Sequence, residues 1–271
     1  MTTIDMFAIT DVGIRRQHNE DCVHISPRHG IAVLADGMGG YNAGEVASAM
    51  AVEIISTSLC DKILDIPQAE IDINTGFTGE SVLLRQAIKA SNDAIYTTAK
   101  NKPECAGMGT TVLAAAFYGN HITAAHVGDS RMYRLREHKL THVTEDHSLI
   151  HEQVRRGLVT ANDARHSSIK NLVTRALGVD PKVEADLVED MVQAGDLYLM
   201  SSDGLTDVVS DEAIHHCLSR CNHELKRTAT ELVQMANDGG GPDNISIILI
   251  QVKSDSNSKS KTGFFSRLFK R

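Results

Sequence analysis

Short apolar runs separated by Gly, Asn and Asp recur along this chain and predict β-strands. Two of the runs flank Tyr118-Gly119-Asn120, a turn sequence expected of an antiparallel hairpin. The predicted strands lie near residues 4–11, 21–35, 110–117, 121–128, 131–136, 183–189, 196–202 and 244–252.

Apolar residues at helical spacing predict helices between these groups of strands. A helix over about 44–59 would place Val46, Met50 and Ile54 on one face. A second over about 80–100 has a stripe that includes Leu84 and Ile88, and two more are predicted near 211–220 and 223–236. Because strands and helices are grouped rather than strictly alternating, the sequence predicts an α+β fold in one domain.

Three aspartates follow or open apolar runs, where a strand end would hold each carboxylate rigidly. Asp36 ends one run, Asp203 closes another, and Asp243 comes just before a third. One Asp-Gly pair alone is more often a turn than a ligand. Two carboxylates about 4 Å apart repel by roughly 4 kcal/mol at an effective dielectric near 20. Converging aspartates therefore predict bound divalent cations, and an all-oxygen site suits Mg²⁺ or Mn²⁺.

The order of the motifs resembles that of the metal-dependent protein serine/threonine phosphatases of the PP2C (PPM) family, in particular the compact bacterial members. The resemblance covers roughly residues 5–252. It rests on Thr10–Gly13, Arg16–Asp21, Ala35–Gly40, Gly44–Ser48, Gly107–Thr111, Val127–Arg131, Thr144–Ser148, Thr174–Gly178, Ser201–Leu205 and Gly241–Asn244. It implies a catalytic domain over residues 1–253, built as a central antiparallel β-sandwich flanked by pairs of α-helices.

The resemblance also implies metal-binding roles for several residues of these motifs. Asp36 would bridge two metal ions, the carbonyl of Gly37 would complete one of them, and Asp203 and Asp243 would bind the other. Hydroxide bridging the two ions would then attack the phosphorus of phosphoserine or phosphothreonine.

Four further residues receive supporting roles from the same resemblance. Glu20 and Asp21 would act largely through metal-bound water, and Asp129 would share a third, weaker ion with Asp203. Arg16 would grip the substrate phosphate, for which its planar fork of donors is suited.

Met38 departs from part of the family, in which a histidine at this position has been considered as the acid that protonates the leaving alcohol. Methionine has no proton to donate there. Metal-bound water is the first candidate for the acid, with His18 and His147 as weaker alternatives.

Two other classes of protein stay open at the level of sequence. One is a pseudophosphatase that binds phosphoproteins or a kinase without hydrolysing them, although no metal aspartate is lost. The other is a phosphatase that forms a phospho-aspartate. That chemistry wants a second aspartate two residues beyond the nucleophile, where Met38 follows Asp36.

Two segments stand apart from the predicted sandwich. Residues 147–171 correspond either to the flap beside the active site of bacterial relatives or to an ordinary surface excursion, with a helix predicted over His147–Gly157 and a polar connection over Leu158–Lys170. The segment 254–271 is predicted to be a flexible basic tail. Its Phe264–Arg271 end has a short apolar face opposite cations and could contact an anionic membrane or a partner.

Composition narrows the remaining function classes. A hydrophobic content of 42% over 271 residues suits a sizeable core, and no run suggests a signal peptide or a membrane span. The net charge is −8, and because residues 253–271 carry +5, residues 1–252 carry −13, which argues against nucleic acid as substrate. Five cysteines without metal-finger spacing suggest reduced thiols. We expect a cytoplasmic monomer that acts on phosphorylated proteins and opposes a Ser/Thr kinase.

Overall fold

Two antiparallel sheets form the centre of the computed structural model, which describes residues 3–40, 43–160, 163, 167 and 172–253. The strands of these residues are β1 Thr3–Asp11, β2 Asp21–Ser26, β3 Ile31–Met38, β4 Gly109–Thr110, β5 Val112–Tyr118, β6 His121–Val127, β7 Arg131–Arg136, β8 Lys139–His142, β9 Asp186–Met191, β10 Leu197–Ser201 and β11 Ile245–Lys253. The first sheet has the order β1-β11-β10-β7-β8, and the second has the order β2-β3-β5-β6-β9 with β4 paired to β3.

Helices cover the outer face of each sheet. The α-helices of the described residues are α1 Ala43–Lys62, α2 Gly79–Asn101, α3 Leu149–Arg155, α4 Asp203–Thr206, α5 Asp211–Ser219 and α6 Leu225–Asp238, with 3₁₀ turns at Ile63–Asp65 and Pro103–Cys105. One hydrophobic cluster joins α1 and α2 to the second sheet, and another joins α5 and α6 to the first. The predicted α+β sandwich flanked by helical pairs is therefore confirmed.

The central strands are buried on both faces, which explains why their sequences are continuous apolar runs. In β3, Val33 points to the helical layer and Leu34 into the space between the sheets. In β11, Leu249 and Ile250 divide in the same way. Because side chains alternate along a strand, each run supplies two cores at once.

The prediction for the buried face of α1 was wrong. Val46 is 40% exposed, whereas Ala47, Ala51, Ile55 and Leu59 are fully buried. The buried stripe thus runs one residue further along the helix and begins with small side chains. These let α1 approach the second sheet closely.

Three further details of the secondary structure differ from the sequence prediction. The strand expected at 183–189 is displaced towards the C-terminus, as β9 over Asp186–Met191. Neither β8 nor the one-turn helix α4 was predicted. Both elements are only four residues long and therefore too short to carry a clear period.

A helix over Ala43–Asp65 is long and apolar enough to cross a membrane by length and composition alone. The expectation that no run approaches this composition was therefore wrong. Half of the most apolar window of this helix is buried inside the fold, where α1 contacts β3 and α2. Its apolar character is that of a core helix.

Both segments set apart in the sequence lie wholly or partly outside the described residues. The predicted flap helix is observed as α3, which is shorter than His147–Gly157. Most of the connection after residue 160, and the whole of residues 254–271 with their proposed membrane or partner contact, fall outside the description.

Candidate active site

Four aspartates from both sheets meet at one end of the sandwich. Asp36 lies near the end of β3, and Asp129 follows β6 in the same sheet. Asp203 follows β10, and Asp243 lies just before β11 in the other sheet. The predicted strand ends therefore converge, although Asp36 and Asp243 are separated by 207 positions in the chain.

The main chain around Asp36 is held by two threonines where β4 ends and β5 is about to begin. The carbonyl of Asp36 accepts hydrogen bonds from the Thr111 amide and the Thr110 hydroxyl, both at 2.8 Å. The amide of Asp36 in turn donates to the Thr111 hydroxyl at 3.1 Å. Three hydrogen bonds therefore fix the backbone from which the Asp36 side chain extends.

Asp21 lies opposite Asp36 in the pairing of β2 with β3 and is only 8% exposed. One carboxyl oxygen accepts a hydrogen bond from the Ser202 hydroxyl at 2.8 Å. The other oxygen, like Oδ1 of Asp203, is buried without a protein partner. A buried carboxylate oxygen left without a partner is costly, so these atoms indicate that a cation belongs here.

The crowding of carboxyl groups changes their acidity. Burial, reinforced by Asp21 and Asp203, raises the pKa of Asp36 well above its usual value. Burial, Asp129 and Asp207 do the same to the pKa of Asp203.

Two flanking carboxyls show the same effect to a smaller degree. Burial is the main cause that raises the pKa of Asp21 to about 6, and burial with Asp146 raises that of Asp129 to about 6. Cations would relieve this repulsion.

Gly37 lies where the backbone of three segments meets. Its amide donates to the Glu20 carbonyl at 3.1 Å, and a Cβ at this position would lie 2.2 Å from the Gly44 carbonyl oxygen. Only glycine fits that approach. Glu20 itself is half-buried, and burial raises its pKa although Arg16 opposes the shift.

Asn244 connects the start of β11 to the loop that carries Arg16. Its amide nitrogen donates to the carbonyls of Val12 and His18 at 2.8 and 2.9 Å, and its oxygen accepts from the Glu20 amide at 2.8 Å. One side chain thereby fixes both ends of the loop.

Arg16 reaches the aspartate cluster from this loop. Its Nη2 donates to Oδ2 of Asp243 at 2.6 Å, and its side chain is 48% exposed. The guanidinium is thus held beside the carboxylates while part of its surface faces solvent.

The donor set fits the predicted divalent cations. It consists of carboxyl oxygens, includes two buried oxygens without a protein partner, and contains no thiol or imidazole from the residues named for the site. Oxygen donors of this kind are those preferred by Mg²⁺ and Mn²⁺.

A cavity of about 530 Å³ opens beside Asp129 and Asp203. Its lining also includes Ile150 and Val154 of α3 and the residues that follow α4. The cavity adjoins two of the four aspartates, whereas Asp36, Asp243 and Arg16 do not line it.

The side chains near the site do not supply an obvious proton donor. Met38 occupies the position expected from the sequence, and His18 is exposed, with its carbonyl bound by Asn244. The ring of His147 is occupied on both sides, by the Gly128 amide and by Asp186. This geometry argues against His147 as the acid.

Sequence reasoning gave no role to four residues that organise the site. Thr110, Thr111, Ser202 and Asn244 all lie inside the motifs noted above, but their roles depend on hydrogen bonds to distant parts of the chain. Ser202 and Asn244 each adjoin a site aspartate in the sequence, which was the one signal available for them, whereas Thr110 and Thr111 have no such neighbour.

Comparison with known proteins agrees with this architecture. A family model described as protein phosphatase 2C matches residues 13–242. A serine/threonine phosphatase of Listeria monocytogenes, stp, is 38% identical over 245 residues, which cover 89% of this chain and 93% of the relative. The serine/threonine protein phosphatase PstP of Mycobacterium tuberculosis is 37% identical, over 90% of this chain and 44% of the relative.

Solved structures show the same likeness. The crystal structure of the PstP catalytic domain with two manganese ions superposes with a TM-score of 0.82 and 35% identity, covering 94% of this chain and 100% of that chain. The serine/threonine phosphatase of S. agalactiae gives a TM-score of 0.81 at 32% identity, with 92% and 100% covered.

Proposed function

Because the chain belongs to the protein phosphatase 2C family and is a phosphoprotein phosphatase, we propose that it hydrolyses phosphoserine and phosphothreonine with the help of Mn²⁺ or Mg²⁺. The observation that carries the proposal is the convergence of Asp36, Asp129, Asp203 and Asp243 at one end of the sandwich. Carboxyls that raise one another's pKa in this way are poised to exchange protons for cations.

We assign the two principal cations to Asp36, the Gly37 carbonyl, Asp203 and Asp243, and a third, weaker one to Asp129 with Asp203. When bound, such ions neutralise phosphate charge and make water a stronger nucleophile near neutral pH. Asp21 and Glu20 lie next to these ligands and support their positions. Asp21 pairs with Asp36 in the register of β2 and β3, and Glu20 packs against Gly44.

Arg16 binds the phosphate oxygens in this proposal. Its guanidinium is anchored through one nitrogen to Asp243, and the exposed part of the side chain leaves further donors for the substrate. Hydrolysis of a phosphate monoester depends mainly on positioning and charge neutralisation. The positively charged guanidinium of Arg16, held in place beside the phosphate, would therefore lower the activation barrier of hydrolysis.

The leaving alcohol requires a proton that Met38 and His147 do not give. We therefore propose that water in the site donates it.

In the cell, the enzyme would act in the cytoplasm on phosphorylated proteins and reverse the action of a serine/threonine kinase. The tail over residues 254–271 remains a proposed contact with a membrane or partner.

Asp36→Asn tests the proposal most directly. The substitution keeps the shape of the side chain but removes its charge, so metal-dependent hydrolysis of a phosphothreonine peptide should fall by at least about 100-fold. The measurement is phosphate release by protein stripped with EDTA and then given MnCl₂ or MgCl₂. Asp93→Asn, at an exposed position of α2, is the matched control and should retain full activity.

The two alternatives give different results in the same assay. A pseudophosphatase would bind the phosphopeptide but release no phosphate from the wild type at any Mn²⁺ concentration. A phospho-aspartate enzyme would yield a trapped acyl-phosphate that is absent from Asp36→Asn. Either result would contradict the proposal.

A further inference from the structure

The loop Gly128–Ser130 connects the two sheets at the active end of the sandwich. It follows β6 of the second sheet and leads into β7 of the first. Asp129, at its centre, is only 8% exposed. The position of this carboxyl therefore depends on how the loop is held on each side.

On one side the loop is tied to the segment that fixes Asp36. The hydroxyls of Ser130 and Thr111 are hydrogen-bonded at 2.9 Å. Gly128 has a φ of +113°, and a Cβ there would lie 2.6 Å from side-chain atoms of Thr111. The loop thus packs on Thr111 without room for adjustment.

On the other side the loop is held by His147. The His147 amide donates to the Gly128 carbonyl at 2.9 Å, and the Gly128 amide donates to Nδ1 of the His147 ring at 3.1 Å. The second bond requires a lone pair on Nδ1. Since a neutral imidazole carries one proton, that proton must be on Nε2.

Asp186 favours the same tautomer. Nε2 of His147 lies 3.2 Å from Oδ2 of Asp186, whose Oδ1 accepts a hydrogen bond from Arg175 at 2.8 Å. Nη1 of Arg175 also lies 3.2 Å from Nε2 of His147, but a guanidinium can only donate, so this contact does not itself support a proton on Nε2. Burial acts to raise the pKa of Asp186, but His147 and Arg175 outweigh it and keep that pKa below its usual value. An ionised Asp186 is therefore available to accept the Nε2 proton.

Burial and the neighbouring His126 also lower the pKa of His147, which favours the neutral ring. The two rings are stacked with their centroids 4.6 Å apart. Potential ligand atoms of His126, His147 and Asp186 lie within 4.8 Å of one another, a spacing that would suit a cation. A proton on Nε2 of His147 is incompatible with that role, so the group is better explained as a support for the loop.

We propose that His147, oriented by Asp186, is a positioning residue that sets Asp129 for the weaker cation. The inference rests on the proposed function, since it concerns the cation assigned to Asp129. His147 does not touch the substrate in this scheme. It acts through the Gly128 amide, and loss of its side chain would leave the loop held on the side away from Thr111 by the main-chain bond between the amide of residue 147 and the Gly128 carbonyl.

The test compares His147→Ala with His147→Asn in the full chain. The asparagine Oδ1 can replace Nδ1 as the acceptor of the Gly128 amide, whereas alanine cannot. Mn²⁺ binding is counted by calorimetry and by electron paramagnetic resonance. We expect His147→Ala to weaken only the weakest site, by at least roughly tenfold, as is common when a residue supporting a ligand is removed. His147→Asn should restore most of that affinity.

Amide exchange at Gly128 gives a second readout that needs no metal. Exchange should be faster in His147→Ala and near the wild-type rate in His147→Asn. Asp186→Ala, at a side chain that is 51% exposed, should weaken the same site to a smaller degree and serves if His147→Ala does not fold. His216→Ala, at an exposed position of α5, should change neither readout.

Asp129→Asn and Asp36→Asn separate failure of this inference from failure of the proposed function. If Asp129→Asn removes a weak site that His147→Ala leaves intact, or if His147→Ala weakens all sites equally, His147 does not have this role. If the wild type binds no Mn²⁺ and Asp36→Asn changes nothing, the proposed metal centre itself is wrong.

Discussion

Arg16 shows how a single exposed residue can be fixed by a distant part of the chain. Its guanidinium binds Asp243, while Asn244 holds the carbonyls at two points of the loop around it. The side chain therefore loses little freedom when it binds a phosphate, which favours its proposed use.

Replacing Arg16 by lysine should lower kcat/KM for a phosphopeptide by roughly tenfold to hundredfold, the loss expected when a hydrogen bond to a charged group worth about 1.5–3 kcal/mol is removed. The positive charge remains, but a single ammonium cannot bind Asp243 and two phosphate oxygens in the same geometry. Steady-state kinetics at saturating Mn²⁺ measure the effect. Arg15→Lys, at the exposed neighbouring position, is the control, and an equal loss in both variants would refute a specific role for Arg16.

Sequence reasoning located the aspartates but not the residues that orient them. Asp36, Asp203 and Asp243 could be identified because each adjoins an apolar run, and strand ends are local features. The roles of Thr111 and Asn244 arise from hydrogen bonds to residues far along the chain, which local patterns do not encode.

At the scale of elements, α1 shows that the buried face of a helix can be difficult to predict from its sequence. Apolar residues occur on several faces of this helix, and the four-residue spacing of Val46, Met50 and Ile54 indicated a face one residue away from the buried one. The buried face begins with Ala47 and Ala51 and continues with Ile55 and Leu59. Because apolar residues recur at the same spacing on neighbouring faces, their spacing alone did not identify the buried one.

Ala51→Leu should destabilise the protein by about 1–3 kcal/mol, because the added volume has to enter a packed contact between α1 and the second sheet. Val46→Ala, on the exposed side of the same helix, should change stability by less than about 0.5 kcal/mol. Urea unfolding of both variants followed by circular dichroism measures the difference. The reverse order of effects would show that the buried face has been assigned wrongly.

The whole molecule combines a well-packed sandwich with one end at which buried carboxyls repel one another. Three hydrophobic clusters fill the spaces between its layers, while buried carboxyls gather where the two sheets meet at the active end. The fold class followed from the sequence because it depends on repeated apolar patterns. The carboxyl cluster opposes stability locally, as expected where function rather than packing determines the residues.

The repulsion between the buried carboxyls predicts how the stability of the metal-free protein changes with pH. The pKa of about 6 for Asp21 and Asp129 lies above the usual value of 3.8. Between these values the folded state holds more protons than the unfolded state. The contribution of these groups to stability is therefore complete below about pH 4 and is lost as pH rises through about 6.

Thermal unfolding at pH 5 and pH 8, with and without MnCl₂, tests this account. Since Mn²⁺ replaces protons in the cluster, the rise in Tm on adding Mn²⁺ should be larger at pH 8 than at pH 5. Other groups also titrate over this range, so Asp36→Asn is the reference. Removing one charge from the centre of the cluster should reduce both the pH dependence of the metal-free protein and the gain from Mn²⁺. If Mn²⁺ raised Tm by the same amount at both pH values, protons and Mn²⁺ would not compete for these buried carboxyls, and this account would be wrong.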